Sequence, residues 1–239
     1  MVNDGSTDAT SKACAGLDVK LLHHPENSGY GKSIQTGIAT SCYDYIAIID
    51  ADGTYSAKDL VKLLSYCDDY DMVVGVRENI KLWDSFFKYI SRKIYLWLVA
   101  YVTGSCVPDA NSGLRVFKKS AVMPIYYRLC RGFSFTTTLT LALMCQGLFV
   151  KFIPISYNKR KGKSKVKWSM DTMRTAQILF QEVMFYNPIK AILPFSICSF
   201  LLSFFQCSYF LFYPGAGLLH GFCYLFLLRG DYFCFRTDS

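Results

Sequence analysis

The sequence predicts an α/β domain with a mostly parallel sheet and helices on both faces, followed by a C-terminal transmembrane segment. Short apolar runs of strand composition alternate with segments of helical length as far as residue 155, which is the order of a doubly wound sheet. One run ends in two aspartates, Asp50 and Asp52, where such sheets bind ligands. Residues 191–213 carry no charge and are long enough to cross a hydrocarbon core of ~30 Å.

The predicted elements alternate in a regular order. Stretches rich in apolar and β-branched residues predict strands at residues 19–22, 46–49, 71–76 and 148–155, and a short strand after Arg115. Apolar residues at helical spacing predict helices at residues 9–15, 33–40, 57–66, 136–142 and 168–186. The basic and aromatic stretch 86–102 predicts an amphipathic helix, which lies either in a membrane interface or on the core with a solvated basic edge.

Asp50 and Asp52 are the first candidates for a functional site. Side chains at positions i and i+2 of an extended segment point the same way, so both carboxylates face one side. A divalent cation, Mg²⁺ or Mn²⁺, takes carboxylate oxygens, waters and substrate phosphates, and would bridge this pair to a diphosphate. The alternative is a turn whose aspartates hydrogen-bond their own backbone. On the Asp-x-Asp pattern alone, the turn is the simpler interpretation.

The formal net charge of +8 is concentrated before the apolar C-terminus. Residues 159–167 contain six lysines and arginines, which by the positive-inside rule places this flank on the cytoplasmic side. Nucleic-acid binding is the competing interpretation, but the nearby membrane span favours lipid headgroups or an anionic substrate.

The ten cysteines form no Cys-x-x-Cys pair, and no secretory signal is visible at Met1. We therefore expect an integral membrane protein with reduced thiols, no nucleic-acid partner and a cytoplasmic domain.

Residues 27–32 form a loop with two glycines that opens a predicted helix, and such helix N-termini can hold phosphate. On these residues alone an ordinary loop is the simpler interpretation.

At the other end of the chain, a second apolar run reaches residue 228 but is short for a full span, so it is half of a hairpin or a re-entrant piece. The predicted divisions are a domain at 1–166, a juxtamembrane helix at 167–187, membrane segments at 188–230 and a tail at 231–239.

Taken together, these motifs resemble the family 2 glycosyltransferases of GT-A fold, and most closely the polyprenyl-phosphate sugar synthases of the dolichyl-phosphate mannose synthase type. The resemblance covers roughly residues 2–165. It rests on the order and spacing of six short motifs: Val-Asn-Asp-Gly-Ser-Thr-Asp at 2–8, Asn-x-Gly-x-Gly-Lys at 27–32, Asp-Ala-Asp-Gly at 50–53, Asp109 with Ser-Gly-x-Arg at 112–115, Gly-Phe-Ser-Phe-Thr-Thr at 132–137, and Arg-x-Gly-x-Ser-Lys at 160–165.

The resemblance implies an activity and a role for each motif. The activity is inverting, metal-dependent transfer of a sugar from a GDP- or UDP-linked donor to a dolichyl or undecaprenyl phosphate. The implied roles are nucleotide contact for Asp4 and Asp50, metal binding for Asp52 together with Asp50, a sugar and phosphate site at Asp109 and Arg115, and phosphate binding by Lys32, Arg160, Ser164 and Lys165. The membrane segment also offers a surface for homo-oligomer formation.

The sequence departs from the family pattern in two places that bear on function. The family carries a strand, a nucleotide-binding loop, a helix and a further strand before the Asp-Gly-Ser segment, so we expect a sheet with an open side beside the strand that ends at Asp50. Thr54 stands where the mannose synthases have an amide that assists the metal. The alternative function is therefore a truncated or degenerate, non-catalytic membrane protein of this family. A processive polysaccharide synthase is disfavoured because the sequence has no Gln-x-x-Arg-Trp segment.

Overall fold

A computed structural model of the chain describes residues 1–14, 16–50, 52–78, 86–158 and 168–212. The chain divides into two compact units, Met1–Pro188 and Ile189–Ser239. The predicted phosphate-binding residues Arg160, Ser164 and Lys165, the second apolar run and the tail all lie outside the described residues.

The described chain contains six strands and eight α-helices, and all of them except the first strand and the fifth helix correspond to predicted elements. The strands are β1 (Val2–Asp4), β2 (Leu22–His24), β3 (Tyr45–Ile48), β4 (Met72–Arg77), β5 (Arg115–Lys118) and β6 (Val150–Ile155). The helices are α1 (Thr10–Cys14), α2 (Tyr30–Thr40), α3 (Ala57–Leu64), α4 (Phe86–Thr103), α5 (Lys119–Val122), α6 (Phe135–Cys145), α7 (Trp168–Tyr186) and α8 (Pro188–Phe212), with a 3₁₀ helix at Met123–Arg128. The strand predicted at 19–22 is observed at Leu22–His24, because parallel pairing of Asp4 with His24 and of Val2 with Leu22 sets its position.

The main sheet has four strands in the order β3-β5-β4-β6. β4 and β6 are parallel, while β5 is antiparallel to both of its neighbours. Three of the four strands therefore run in one direction, which confirms a mostly parallel sheet with one reversed strand. β1 and β2 form a separate two-stranded parallel sheet.

Helices cover both faces of the main sheet, which is also as predicted. Met72 and Val74 of β4 point into a core with α2, α5 and α6, and Phe135 and Leu139 of α6 are fully buried there. Val73 points to the other face, into a core that contains Leu63 of α3. Because side chains alternate along a strand, one buried strand contributes to both cores.

β3 lies at one edge of the main sheet. Among the strands that the structure describes, it pairs with β5 alone, and Tyr45 is 39% exposed. Ile46 and Ile48 are only half-buried. The open side expected beside the strand that ends at Asp50 is therefore present. It also explains the exposure, because a strand with one neighbour lacks packing on its other edge.

The second unit contains α8, whose residues Pro188–Tyr209 are long and apolar enough to cross a membrane. This observation is one of length and composition only. It matches the predicted span at 191–213 up to the last described residue, Phe212. The preceding helix α7 ends at Tyr186, because the residue before a proline is disfavoured in helical conformation.

Candidate functional site

The carboxyl end of β3 places Asp50 in a tight, half-buried position. Its Oδ1 accepts a hydrogen bond from the Tyr30 hydroxyl at 3.3 Å. Its Oδ2 lies against the backbone of Gly113, where a Cβ atom would overlap the carboxylate. The Gly113 N–H in turn donates to the Tyr55 hydroxyl at 2.8 Å. Two tyrosines and one glycine thus fix this carboxylate, and only glycine fits at position 113.

The surroundings of Asp50 disfavour its ionised form. Burial raises the pKa of Asp50, and the negative charge of Asp52 raises it further. The Tyr30 hydrogen bond and the positive charges of Arg77 and Arg115 act in the opposite direction without cancelling the shift. The same contact, together with burial, raises the pKa of Tyr30. A bound cation would stabilise the ionised form of Asp50.

Asp52 is held by its own turn. Its Oδ1 accepts from the Thr54 backbone N–H at 3.2 Å and from the Thr54 hydroxyl at 2.5 Å. Thr54 is fully buried. The turn predicted as the simpler interpretation of Asp-x-Asp is therefore present, and it leaves Asp50 and Asp52 near enough to interact electrostatically. Thr54 orients Asp52 instead of facing a ligand.

Arg77, at the end of β4, is a site residue that sequence analysis missed. Its Nε and Nη2 donate to the two carboxylate oxygens of Asp109 at 2.7 and 2.8 Å, a bidentate ion pair with both side chains largely buried. Its guanidinium also lies 5.4 Å from the centre of the Tyr157 ring. The sequence contained a signal for Arg77, because it is a charged residue at the end of an apolar strand, as Asp50 is at the end of β3. Asp109 was predicted at the sugar and phosphate site, and both of its carboxylate oxygens are paired with Arg77.

Arg115 does not line a ligand site, and the expectation that it binds phosphate is corrected. Its side chain is fully buried. All five N–H donors are used: Nε and Nη2 donate to Ser112 O, Nη2 also to Ala110 O, and Nη1 to Thr136 O and Thr140 Oγ1. Burial lowers the pKa of Arg115. Through these hydrogen bonds Arg115 connects the 110–112 loop to α6. Its positive charge also acts to lower the pKa of Asp50.

Asp4 joins β1 to the start of α2. Its Oδ1 accepts from His24 Nδ1 at 2.7 Å and from the Ser28 N–H at 2.9 Å, while its Oδ2 accepts from the Gly29 N–H at 2.9 Å. Burial acts to raise the pKa of Asp4, but the hydrogen bonds from His24, Ser28 and Gly29 outweigh it, and the pKa lies below its usual value. His24, a second missed residue, also contacts Thr36 Oγ1 through Nε2 at 2.9 Å.

These contacts change the expected role of the glycine loop. The N–H groups of Ser28 and Gly29 face Asp4, and the Lys32 N–H donates to Arg131 O at 2.9 Å. The N–H groups of Ser28, Gly29 and Lys32 therefore have partners within the protein, although no side chain caps the first turn of α2. Gly31 packs so closely on Cys130 O that a side chain would clash. These backbone hydrogen bonds agree with the interpretation of residues 27–32 as an ordinary loop. Phosphate binding by the Lys32 side chain stays a prediction.

A third set of contacts joins α4 to the site. The Tyr95 hydroxyl is 2.9 Å from Thr137 Oγ1 and donates to Asn111 Oδ1 at 3.1 Å, and Thr137 donates to the same Asn111 oxygen at 2.5 Å. These hydrogen bonds bring the motifs at 109–115 and 132–137 together. The order of the motifs in the sequence did not predict this contact. Tyr95 was not predicted, and no local signal distinguishes it from the other aromatic residues of α4.

The residues present fit a magnesium or manganese ion that completes its coordination with substrate. Mg²⁺ is commonly held by one or two carboxylates plus waters and phosphates, and not by a full protein cage. Asp50 and Asp52 would supply two hard oxygen ligands, and a cation beside Asp50 would offset the burial that raises its pKa. The described residues contain no cluster of three or more His, Cys, Asp or Glu side chains that could hold a metal ion.

Comparison with known proteins identifies the family. Residues 1–135 match the sequence profile described as Glycosyl transferase family 2. The chain belongs to this family. Because the matched segment contains β1 through β5, it includes Asp4, Asp50, Asp52 and Asp109. The sequence resemblance to family 2 glycosyltransferases is thereby confirmed.

Three relatives of this family 2 chain are named as sugar transferases or synthases, and two of these names contain a polyprenyl phosphate. The "Dolichyl-phosphate hexose transferase" of Haloferax volcanii is 25% identical over 68% of this chain and 71% of its own length. The "Low-salt glycan biosynthesis hexosyltransferase Agl6" of the same organism is 27% identical over 75% of this chain and 44% of its own length. The "Dodecaprenyl-phosphate galacturonate synthase" of Rhizobium johnstonii is 30% identical over 52% of this chain and 39% of its own length.

Solved structures confirm the GT-A-like fold. Glucosyl-3-phosphoglycerate synthase of Mycobacterium tuberculosis, in complex with phosphoglyceric acid, superposes with a TM-score of 0.61 at 14% sequence identity. The superposition covers 76% of this chain and 67% of the synthase. The same enzyme has been solved with Mn²⁺, uridine diphosphate and glucosyl-3-phosphoglycerate, and with Mg²⁺ and uridine diphosphate. At this identity the likeness concerns the fold.

Proposed function

We propose that the protein transfers a sugar from a nucleoside diphosphate donor to a polyprenyl phosphate, with inversion and with a divalent cation. The carrying observation is the pair Asp50 and Asp52 at the carboxyl end of β3, beside the buried Arg77–Asp109 ion pair. Two neighbouring carboxylates at this edge of a family 2 fold are suited to a divalent cation and a nucleotide diphosphate. The names of the relatives support a polyprenyl phosphate acceptor.

Within this proposal, Asp52 and Asp50 would hold Mg²⁺ or Mn²⁺, which would bind the donor diphosphate. The ion would neutralise negative charge that builds up on the departing nucleotide. The glucosyl-3-phosphoglycerate synthase complexes with uridine diphosphate and either ion support this assignment and favour a UDP-linked donor. Tyr30 and Gly113 fix the rotamer of Asp50, and Thr54 fixes that of Asp52. This preorganisation keeps the two oxygen ligands in place before the donor arrives.

The acceptor needs little help from a base. A phosphate monoester has a second pKa near ~6, so the acceptor is largely a dianion at neutral pH and is itself the nucleophile. Arg77 occupies both oxygens of Asp109, which argues against Asp109 as a proton acceptor and for a role in holding Arg77 in place. The main task of the protein is to bring two anionic groups together, and Lys32, Arg160, Ser164 and Lys165 are proposed to contribute there. One direct displacement inverts the anomeric configuration.

Membrane attachment is part of the proposal. α8 supplies a candidate span, and α4 presents a stripe of exposed side chains at helical spacing, Ile90, Ile94, Trp97 and Tyr101. The opposite face of α4 packs inward through Val99 and Val102. Trp97, 64% exposed, stacks on Tyr101, and aromatic side chains of this kind favour the headgroup region. The basic stretch 159–167 supports a cytoplasmic location for the domain.

A non-catalytic role is the second candidate, favoured by the edge of β3 next to Asp50, which pairs with no other strand among the described residues. One assay separates the two. The purified chain is incubated with radiolabelled UDP- and GDP-sugars and vesicles that contain dolichyl or undecaprenyl phosphate, with Mn²⁺ or with EDTA. We expect label in the lipid phase with Mn²⁺ only. The proposal fails if no donor labels either lipid, if EDTA has no effect, or if only water-soluble acceptors are labelled.

A further inference from the structure

A polar pocket of about 320 Å³ lies away from the carboxylate site, between α6, α7 and the segment that follows the 3₁₀ helix. Its polar lining consists of Arg128, Cys130, Thr138, Gln177, Gln181 and Glu182. Pockets of about this size and larger are usual for small ligands. This one contains one cation and one anion, together with two amides and a hydroxyl.

Glu182 is the unusual member of this pocket. It is only 8% exposed, and among the described residues its Oε2 has no partner within hydrogen-bond distance. The nearest cation is Arg128, whose Nη2 is 3.6 Å away, too far for a hydrogen bond. Burial raises the pKa of Glu182 although Arg128 acts to lower it. A buried carboxylate oxygen without a donor is costly, and a ligand with N–H groups would remove that cost.

Arg128 is held in a fixed orientation. Its guanidinium lies 3.4 Å from the centre of the Phe185 ring, and its Nη1 donates to the Tyr186 hydroxyl at 3.1 Å. The Tyr186 hydroxyl also accepts from Gln146 Nε2 at 3.3 Å. The two opposite charges of the pocket are therefore presented side by side by well-supported side chains. A zwitterion with its charges close together matches that arrangement.

The pocket lies shortly before the candidate span in the sequence. Glu182 is six residues before Pro188, the first residue of α8. α7 also exposes Phe180 and Met184 near Gln177 and Gln181 on its surface. The following inference rests on the membrane attachment proposed above.

The geometry points to a binding site for a primary ammonium group joined to a phosphate, the chemistry of the phosphatidylethanolamine headgroup. The ammonium donates to Glu182 Oε2 and the phosphate pairs with Arg128, while Gln177 and Gln181 complete the hydrogen bonds. A choline headgroup carries no N–H donor and cannot satisfy Glu182. The site thus selects between two headgroups of the same net charge by hydrogen-bond donors.

The test uses the full chain in phosphatidylcholine nanodiscs that contain a minor fraction of phosphatidylethanolamine. Lipids retained after detergent extraction are quantified by mass spectrometry. We expect phosphatidylethanolamine to be enriched about tenfold over its bilayer fraction, which corresponds to about 1.4 kcal/mol. Retention in proportion to the bilayer composition overturns the inference. A chain that does not enter nanodiscs at all refutes membrane attachment instead, so the two failures are distinguishable.

Variants and a soluble competitor sharpen the result. Glu182→Gln keeps the side-chain volume and removes the charge, and it should lose the enrichment. Asp69→Asn, an exposed carboxylate of the same unit, is the matched control and should keep it. Free phosphoethanolamine, but not phosphocholine, should displace the lipid. Thermal stabilisation by free phosphoethanolamine without lipid enrichment would assign the same chemistry to a soluble ligand and overturn the lipid assignment.

Discussion

The backbone of Gly113 lies directly against the carboxylate of Asp50, with no space for a Cβ atom between them. This contact links the loop before β5 to the strand end that carries the proposed metal ligands. It explains why two motifs that are about sixty residues apart in the sequence form one site.

Gly113→Ala should therefore displace Asp50. We expect a loss of transfer rate of ~10², because small misplacements of reacting groups have effects of that size. Overpacking should lower the free energy of unfolding by about 1–3 kcal/mol. The control is Gly37→Ala in α2, where the nearest atom to a new Cβ is Val2 Cγ2 at 3.8 Å. Steady-state kinetics and denaturant unfolding measure both effects, and a Gly113→Ala enzyme with normal turnover would contradict the role of the contact.

Asp109→Asn should be strongly destabilising, because it leaves Arg77 buried without its charged partner. Breaking a buried ion pair on one side costs about 3–5 kcal/mol. Removing both partners, as in Arg77→Met with Asp109→Leu, should cost less than the sum of the single changes. A double-mutant cycle in urea measures the difference. Lys118→Met, which breaks the more exposed pair with Asp71 at 3.6 Å, is the control and should cost ~0–1 kcal/mol.

Asp52→Asn should lower the transfer rate by ~10² or more, because the metal-bridged diphosphate loses a ligand. Thr54→Val removes the hydroxyl that orients Asp52 and should raise the Mn²⁺ concentration needed for half-maximal rate. Thr54→Ser keeps that hydroxyl and is the matched control. Metal titrations of the three variants test this order. Near-normal turnover of a folded Asp52→Asn protein would refute the ligand assignment.

The raised pKa of Asp50 predicts a pH-dependent stability effect. A carboxyl whose pKa is higher in the folded than in the unfolded state binds protons more tightly when folded, so its ionisation destabilises the fold. The destabilisation is absent below the unfolded value of 3.8 and grows as pH rises through the raised pKa. Asp50→Asn should thus raise the melting temperature at neutral pH while abolishing transfer. That gain should vanish below pH 3.8, and saturating Mn²⁺ should stabilise only the wild type. An equal gain at all pH values would argue against the shift.

The open edge of β3 predicts uneven hydrogen exchange across the sheet. β4 lies between β5 and β6 and its residues Met72, Val73 and Val74 are fully buried, so its amides should be strongly protected. The amides of β3 that face its unpaired edge should exchange much faster. Mass-spectrometric exchange on peptides from both strands measures this difference. Equal protection of β3 and β4 would mean that another strand covers the edge.

Much of the fold is determined by local sequence. Local patterns predicted the strand before Asp50, the turn after it and the helices α2, α3 and α6. They did so because the periodicity of a strand or helix depends on residues that are close together in the sequence. The Asp50 and Asp52 pair was also visible, since its signal is two charges at the end of an apolar strand. The uncharged run of α8 needed no tertiary information.

Tertiary structure decided the roles of the arginines and of Asp4. Arg115 was expected at a phosphate, yet the loop at 110–112 and α6 fold around it and use every donor. Arg77 was overlooked, yet the pairing of β4 with β5 places it opposite Asp109. Asp4 accepts hydrogen bonds from His24 and from the segment before α2, because β1 and β2 lie side by side. A side chain's partners come from segments distant in the sequence, so local pattern shows that a charge is present and only the packing of those segments decides what it binds.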